Sequence, residues 1–369
     1  LGLLAMLLPF VACAPQAPPQ LGGLGYQPPL ATLPQVPSTK VGLLLPLTGA
    51  NRPLGQAMLN AAQLALFDQA DPLIEFLPRD TGGTPSGAAS AARQALADGA
   101  TALAGPLTLT ETAAAASPAR SARAPMMAFT SDASQGGNGV WVLGITPAEQ
   151  AERVANAAVA AGARRIGLLA PDDEFGRRLA AALRQRMPEL GLAAPVVLLH
   201  PRIADTAAAA RDLATQAGPE GLDAVLLGLS GERARAAAAA IVTALPTPPR
   251  LLGHSLWAQD AVVAREPALE GAWFPGPDPA TREGFDRRYQ AAFGEVPPRL
   301  AGVAYDAAAL ASRAARDRAP VGEPMLGADG PVMLEPDGVA LHGLALFAVD
   351  PYGEPRLIEP APIPGAAGS

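Results

Sequence analysis

The chain has 369 residues, 49% of them hydrophobic and 4% aromatic, with 40 Pro, 38 Gly and a single Cys. That is apolar sequence for about two domains at roughly 100–200 residues each, which excludes disorder and a disulfide-stapled mini-protein. The formal net charge of −7 leaves no basic surplus to neutralise phosphates, so nucleic acid is not an expected partner.

In chain order, residues 1–13 (LGLLAMLLPFVAC) come first, an uncharged apolar run too short to cross the ~30 Å hydrocarbon core as a helix. It reads as the hydrophobic region of an export signal. Its end, Phe10-Val11-Ala12-Cys13, resembles the bacterial lipobox, in which a cysteine after small residues is acylated and becomes the mature amino terminus. Lipidation of Cys13 and attachment to a membrane through that lipid are therefore expected. Ala14 stands where enteric inner-membrane lipoproteins carry Asp, which favours the periplasmic side of the outer membrane over the inner. Residues 14–37 carry no charge and are rich in Pro, Gly and Gln, a composition that predicts an extended tether.

From residue 38, short apolar runs alternate with helical patterns. A strand is predicted over 41–45, then a helix over 54–67 whose Met58, Ala62, Ala65 and Leu66 share one face. Further strands are predicted over 73–77, 102–104, 126–129, 140–145, 165–169, 196–199, 224–227 and 250–252. Ala-rich helices fall between them, over 88–98, 110–119, 147–161, 177–187, 206–216 and 232–244. After Trp273 come helices over 279–293 and 300–318, then short strands with turn signals at Asp337-Gly338 and Tyr352-Gly353. Such alternation predicts an α/β chain of parallel sheets covered by helices on both faces. Thr108-Leu109-Thr110-Glu111 and Thr146-Pro147-Ala148-Glu149 are capping boxes directly after strands. They lie at the carboxyl ends of sheets, where open α/β folds bind ligands.

Tests for chemistry are negative. Asp80-Thr81-Gly82 matches the aspartic-protease triplet, but the second triplet that would share its proton does not occur. Gly253-His254-Ser255-Leu256-Trp257 approaches the serine nucleophile elbow, with Trp257 in place of the second glycine. His200, His254 and His342 show no metal-ligand spacing. The acids of Pro171-Asp172-Asp173-Glu174-Phe175-Gly176 read as helix-start residues and not as a Ca²⁺ loop. No Walker or G-x-G-x-x-G loop follows a strand. No catalytic residue, cofactor or metal is expected.

Taken in order, Gly42-Leu-Leu-Leu-Pro-Leu-Thr-Gly49, Leu54-Gly-Gln-Ala-Met-Leu-Asn60, Asp80-Thr-Gly-Gly83, Ala97-Asp-Gly-Ala100 and Gly105-Pro-Leu107 resemble the type I periplasmic binding proteins of the leucine-binding group. The likeness implies two doubly wound parallel-sheet lobes joined by three crossovers, with a ligand cleft between them and no catalysis. Gly144-Ile-Thr-Pro-Ala-Glu-Gln150, Leu168-Leu-Ala-Pro-Asp-Asp-Glu-Phe-Gly-Arg177 and Gly253-His-Ser255 are similar, within that group, to the penicillin-binding protein activator lipoproteins. That resemblance implies a regulator of peptidoglycan synthesis whose partner is a peptidoglycan synthase, a penicillin-binding protein. The alternative is the receptor of an ABC importer for amino acids or similar small polar solutes, partnered by its permease.

The boundaries expected on this basis are a signal over 1–13, a tether over 14–37, one lobe from 38–145 plus 276–340, and another from 146–275 plus 341–360. Receptors of the leucine-binding group hold a ligand carboxylate with hydroxyls and backbone N–H groups, and clamp the ammonium with an acid. For the first task the chain offers Thr108, Thr110, Thr130 and Ser131. At the acidic position stand His254 or Ser255, at the aromatic one Ser230, with Phe175 as a cleft wall. An ammonium without a counter-charge would cost several kcal/mol. Asp132, Asp172 and Asp173 are the acids that could face it.

Overall fold

The computed structural model describes residues 38–350, 352 and 354–365; the expected lipidation site Cys13 and the tether lie outside the described residues. The first run of elements is β1 (Thr39–Leu45), α1 (Arg52–Gln69), β2 (Ile74–Asp80), α2 (Pro85–Ala97), β3 (Ala100–Ala104), α3 (Leu109–Ala122), β4 (Met126–Ala128) and β5 (Val140–Val142). The second is α4 (Pro147–Ala160), β6 (Ile166–Pro171), α5 (Glu174–Glu189), β7 (Val196–His200), α6 (Thr206–Ala217), β8 (Ala224–Leu227), α7 (Gly231–Ala244), β9 (Arg250–Leu252) and β10 (Trp273–Gly276). The third is α8 (Pro279–Phe293), α9 (Ala301–Arg316), β11 (Met325–Leu326), β12 (Pro331–Leu334) and β13 (Ala340–His342), followed by β14 (Ala345–Ala348) and β15 (Arg356–Glu359).

The first lobe is built on a five-stranded sheet, β2-β1-β3-β4-β5, in which every pairing is parallel. Side chains alternate across a strand, so each strand feeds two cores. Val41, Leu43 and Leu45 pack with Met58 of α1 and the alanines of α9, while Leu44 packs with Ala88, Ala92 and Ala95 of α2 and Ala115 of α3. Small helix residues let α2 and α3 lie close against the sheet. The antiparallel sheet β11-β12-β13 closes this lobe, with Val332, Leu334 and Ala340 in its core.

In the second lobe the order is β15-β14-β10-β9-β8-β6-β7. Strands β6 to β10 pair in parallel, and β14 and β15 add to one side antiparallel. The sheet is therefore mixed, where the pattern alone predicts parallel strands throughout. Only residues 349–355 separate β14 from β15, a connection that suits antiparallel neighbours and is too short for a helical crossover. Leu168, Leu226 and Leu252 face α4 and α5, while Leu169, Val225 and Leu251 face α6 and α7. The chain passes between the lobes at 143–146, 277–278 and 343–344. None of the described helices is long and apolar enough to cross a membrane.

Helix starts differ from the predicted ones where a cap reaches further back than the apolar pattern. Helix α5 begins at Glu174, not 177, because the Asp173 carboxylate accepts from Gly176 N at 2.9 Å and draws the acidic segment into the first turn. Helix α2 begins at Pro85, not 88, behind the Thr84 cap. Two glycines of the sequence motifs have a steric role at such starts. A Cβ on Gly55 would lie 2.1 Å from the Pro46 carbonyl oxygen, and one on Gly176 would lie 2.0 Å from that of Pro171. These helices can therefore fold directly back on the strand-end carbonyls. Gly176→Ala is expected to cost about 2–3 kcal/mol through this overpacking, seen as a lower urea midpoint with an unchanged slope.

Candidate functional site

The carboxyl end of the first sheet presents the predicted hydroxyls, and most are committed to holding the turns. Thr108 caps α3, donating to Glu111 Oε2 at 2.7 Å and accepting from Glu111 N at 3.3 Å. Glu111 is fully buried, and its other oxygen takes the Thr81 hydroxyl at 2.6 Å. Thr110 is exposed, its Oγ1 3.4 Å from that of Thr108. Thr130 is buried and accepts from Asp132 N at 3.2 Å, whereas Ser131 is exposed. Asp80, of the protease-like triplet, is a strap for the β1 and β2 ends. Its carboxylate accepts from Leu47 N, Thr48 N, the Thr48 hydroxyl and Gly82 N. Partial burial would raise its pKa, but these donors prevail and hold it below the usual carboxylate range.

At the carboxyl end of the second sheet, Phe175, Ser230, His254 and Ser255 come together. They follow β6, β8 and β9, strands that are neighbours in the sheet although distant in sequence. The His254 ring meets Phe175 edge-on at 5.2 Å between centroids and lies 6.2 Å from Trp257. Its Nε2 lies 3.1 Å from the Leu229 carbonyl oxygen and 3.3 Å from the exposed Ser230 hydroxyl. Burial pushes the imidazole down to about 4, so it is neutral at pH 7, with Nε2–H donating to the carbonyl and Nδ1 an acceptor. That Nδ1 is buried without a partner among the described residues. Ser255 opens a 3₁₀ turn, and its backbone N–H donates to Gln150 Oε1 at 2.9 Å.

The two carboxyl ends meet through charged side chains. Asp132, in the loop after β4, pairs with Arg178 of α5 at 2.6 Å, and Arg178 also holds Glu174. Partial burial would raise the Asp132 carboxyl, but Arg178 and Ser134 hold it below its ordinary value. A second bridge runs from the first lobe to the second, where Arg299 Nη1 donates to the Ser255 carbonyl oxygen at 3.0 Å. Asp172 pairs with Arg177 at 2.6 Å and Asp173 with Arg202 at 2.6 Å. All three acids offered by the sequence for an ammonium are thus ion-paired within the chain. The threonines stand on the opposite lobe from His254, and no hydrogen bond among the described residues joins the two groups.

Arg178 and Arg299 are the cleft residues that the motifs did not single out, while Gln150 closes the Gly144–Gln150 motif without a site role there. Arg178 lies four residues after Glu174 and reads as a surface helix pair, while Arg299 sits inside the Pro297-Pro298-Arg299 loop, which has no pattern of its own. The three histidines have separate partners, His200 Nδ1 near the Pro201 carbonyl at 2.9 Å and His342 Nδ1 near Glu149 at 2.9 Å. Among the described residues no group of three or more His, Cys, Asp or Glu could hold a metal ion. A cavity of about 670 Å³ opens at the other end of the second sheet, lined by Pro246, Pro249 and Trp273, and none of the predicted site residues reaches it.

A family model described as Periplasmic binding protein matches residues 38–325. No curated protein sequence matches the chain. Similar solved structures include a candidate branched-chain amino acid ABC transporter from Rhodospirillum rubrum, at 21% identity and a TM-score of 0.73, covering 87% of this chain and 100% of that one. They also include the C-domain of LpoA from Haemophilus influenzae, a regulator of PBP1A, at 18% identity and a TM-score of 0.70, covering 86% of this chain and 99% of that domain. Full-length LpoA from the same organism matches at 17% identity and a TM-score of 0.71, with 59% of its length covered against 87% of this chain. At such identities the structural likenesses speak for the fold. The family model covers well over half of the chain, which therefore belongs to the periplasmic binding proteins, a family of the periplasm and cell envelope.

Proposed function

We propose that this chain is a non-catalytic envelope lipoprotein, anchored through Cys13, that regulates peptidoglycan synthesis by contact with a penicillin-binding protein. The observation that carries this reading is the state of the cleft acids. A receptor for a free amino acid keeps a carboxylate available for the ammonium, yet Asp132, Asp172 and Asp173 are each bound to an arginine of the chain. The Asp132–Arg178 pair also joins the two lobes directly. The activator-like motifs and the fold shared with a regulator of PBP1A agree with such a role. The full chain, isolated on beads from solubilised envelopes, is expected to retain a synthase visible by labelling with fluorescent penicillin, and to change its rate of glycan polymerisation. No labelled synthase, together with an unchanged rate, would overturn the reading.

The second reading, the receptor of an ABC importer, is favoured by one observation, a cleft cation with no carboxylate within ion-pair distance among the described residues, Arg299. Under that reading a solute at 100 times its Kd adds roughly 2.7 kcal/mol to folding stability, which a thermal-shift screen detects. Flat melting curves across a solute library would count against it.

A further inference from the structure

The two large sheets have four outer strands, and three of them carry a device against pairing with another chain. Strand β2 contains Pro78, which has no N–H to offer, between Glu75 and Arg79. Strand β5 is covered by the turn between β12 and β13, where Val142 N donates to the Gly338 carbonyl oxygen at 2.9 Å and Trp141 Nε1 to that of Glu335 at 2.9 Å. Strand β15 has Arg356 and Glu359 at its two ends, the latter tied to Arg153. Strand β7 has none of these. Its sequence VVLLH holds no proline, carboxylate, Lys or Arg, and its ladder with β6 runs without a bulge. Beyond that ladder the backbone of Val196–Leu199 makes no hydrogen bond among the described residues. The four apolar side chains are half-buried, Val196 and Leu198 against the core beneath α6 and α7, Val197 and Leu199 against the core beneath α4 and α5. An unguarded apolar edge of this kind is a template for a strand from outside.

We infer that β7 is a self-association surface, at which a second copy of the chain adds its own β7 antiparallel and the two seven-stranded sheets become one. Two features select a copy of the chain as the occupant. Both faces of β7 are apolar, and α6 lies against one and α5 against the other. A strand that is polar on one face would set its polar groups against apolar side chains, whereas a second β7 brings apolar residues to both faces and its own helices to cover them. The strand also stands between Pro195 and Pro201, which limit the stretch free to pair to residues 196–200. Leu198 is the centre of that stretch. A two-fold axis there sets Leu198 opposite Leu198 and Val197 opposite Leu199, leaving His200 opposite Val196 at the ends. Such an interface closes on itself and removes the open edge from both copies at once.

Sedimentation equilibrium tests this on the full chain carrying Cys13→Ser, which removes the single native thiol. A monomer–dimer equilibrium is expected at submillimolar concentration, with no species above the dimer. Leu198→Lys places like charges opposite each other and is expected to weaken self-association by roughly 100-fold, as is Leu198→Glu. An equimolar mixture of the two variants is expected to dimerise again, an outcome that damage to the fold does not produce. Melting curves by circular dichroism show whether both variants are folded. Where either is not, Leu198→Cys in the same background is read instead. It is expected to cross-link to itself on oxidation well ahead of Leu326→Cys, an exposed position on the first lobe. A parent chain that stays monomeric throughout would overturn the proposal and leave the edge to a strand of another protein. So would a Leu198→Lys chain that dimerises as tightly as the parent, a mixture that stays monomeric, or a Leu198→Cys chain that cross-links no faster than Leu326→Cys. The samples contain neither synthase nor solute, so this result is independent of the capture experiment.

Discussion

Glu149→Ala is expected to destabilise the folded chain by about 3–5 kcal/mol, measured by urea unfolding at pH 6. Both carboxylate oxygens of Glu149 are in use. Oε2 accepts from Thr146 N at 2.8 Å and from the Thr146 hydroxyl at 2.9 Å, closing the cap of α4. Oε1 accepts from His342 N at 2.8 Å and from His342 Nδ1 at 2.9 Å. The two residues belong to different passages of the chain between the lobes, one just after 143–146 and the other just before 343–344. Loss of the cap alone costs about 1 kcal/mol. The larger part comes from His342, whose side chain is 9% exposed: without the carboxylate its backbone N–H and ring lose their acceptor, and burial drives the imidazole to give up its proton. Glu149→Gln keeps the acceptor but not the charge and should fall between the two. In a double-mutant cycle with His342→Phe, a coupling of about 2 kcal/mol is expected, since each substitution removes the reason for the other's cost. A loss below about 1 kcal/mol for Glu149→Ala would mean that water replaces the carboxylate.

The same residue shows what can be read from a sequence of this kind. Thr146 and Glu149 are three apart, so the capping box is visible locally, as are Thr108 with Glu111 and the strand–helix alternation that yields the parallel strands of both large sheets. The second task of Glu149 depends on a histidine 193 residues away, and only the order in which strands assemble brings them together. Ser230 and His254 were legible as candidates because each follows an apolar strand, and they meet because β8 and β9 are adjacent in the sheet. Arg299 and Arg178 lie outside any motif. Their importance comes from what they face across the cleft, the Ser255 carbonyl and Asp132, which periodicity cannot report. Asp306 did leave a signal, one acid inside the otherwise apolar stretch AGVAYDAAALAS of α9, where an unpaired carboxylate is out of place.

The stability of the protein is expected to fall as pH rises from about 5 to 8, by roughly 4 kcal/mol, with Asp306 as the main cause. Its side chain is 4% exposed and accepts from Ala328 N at 2.7 Å. Burial, reinforced by the charge of Asp329, pushes its carboxyl up from 3.8 to about 8 despite that hydrogen bond. The folded chain therefore keeps a proton that the unfolded chain releases above its ordinary value. Wherever the folded state binds more protons, stability declines with rising pH, here from about 4 until the folded value is passed. Asp286 and Glu152, raised by burial, act in the same direction. So does His342, in which Glu149 overcomes burial and raises the imidazole above 6.5. Its contribution is complete below that value and disappears as pH climbs through the folded one. Asp80, Asp132 and Asp173 are held low and oppose the trend only in acid, near and below their ordinary 3.8. Asp306→Asn retains an oxygen for Ala328 N and has no proton to lose. The variant should match wild type near pH 5, exceed it by a few kcal/mol at pH 8, and lose most of the slope between. Equal urea midpoints for the wild-type chain at pH 5 and pH 8 would contradict the assignment. Because α9 and the β12–β13 segment pack in the core of the first lobe, just before the last passage at 343–344, this proton sits where its loss in alkali loosens that passage as well as the core.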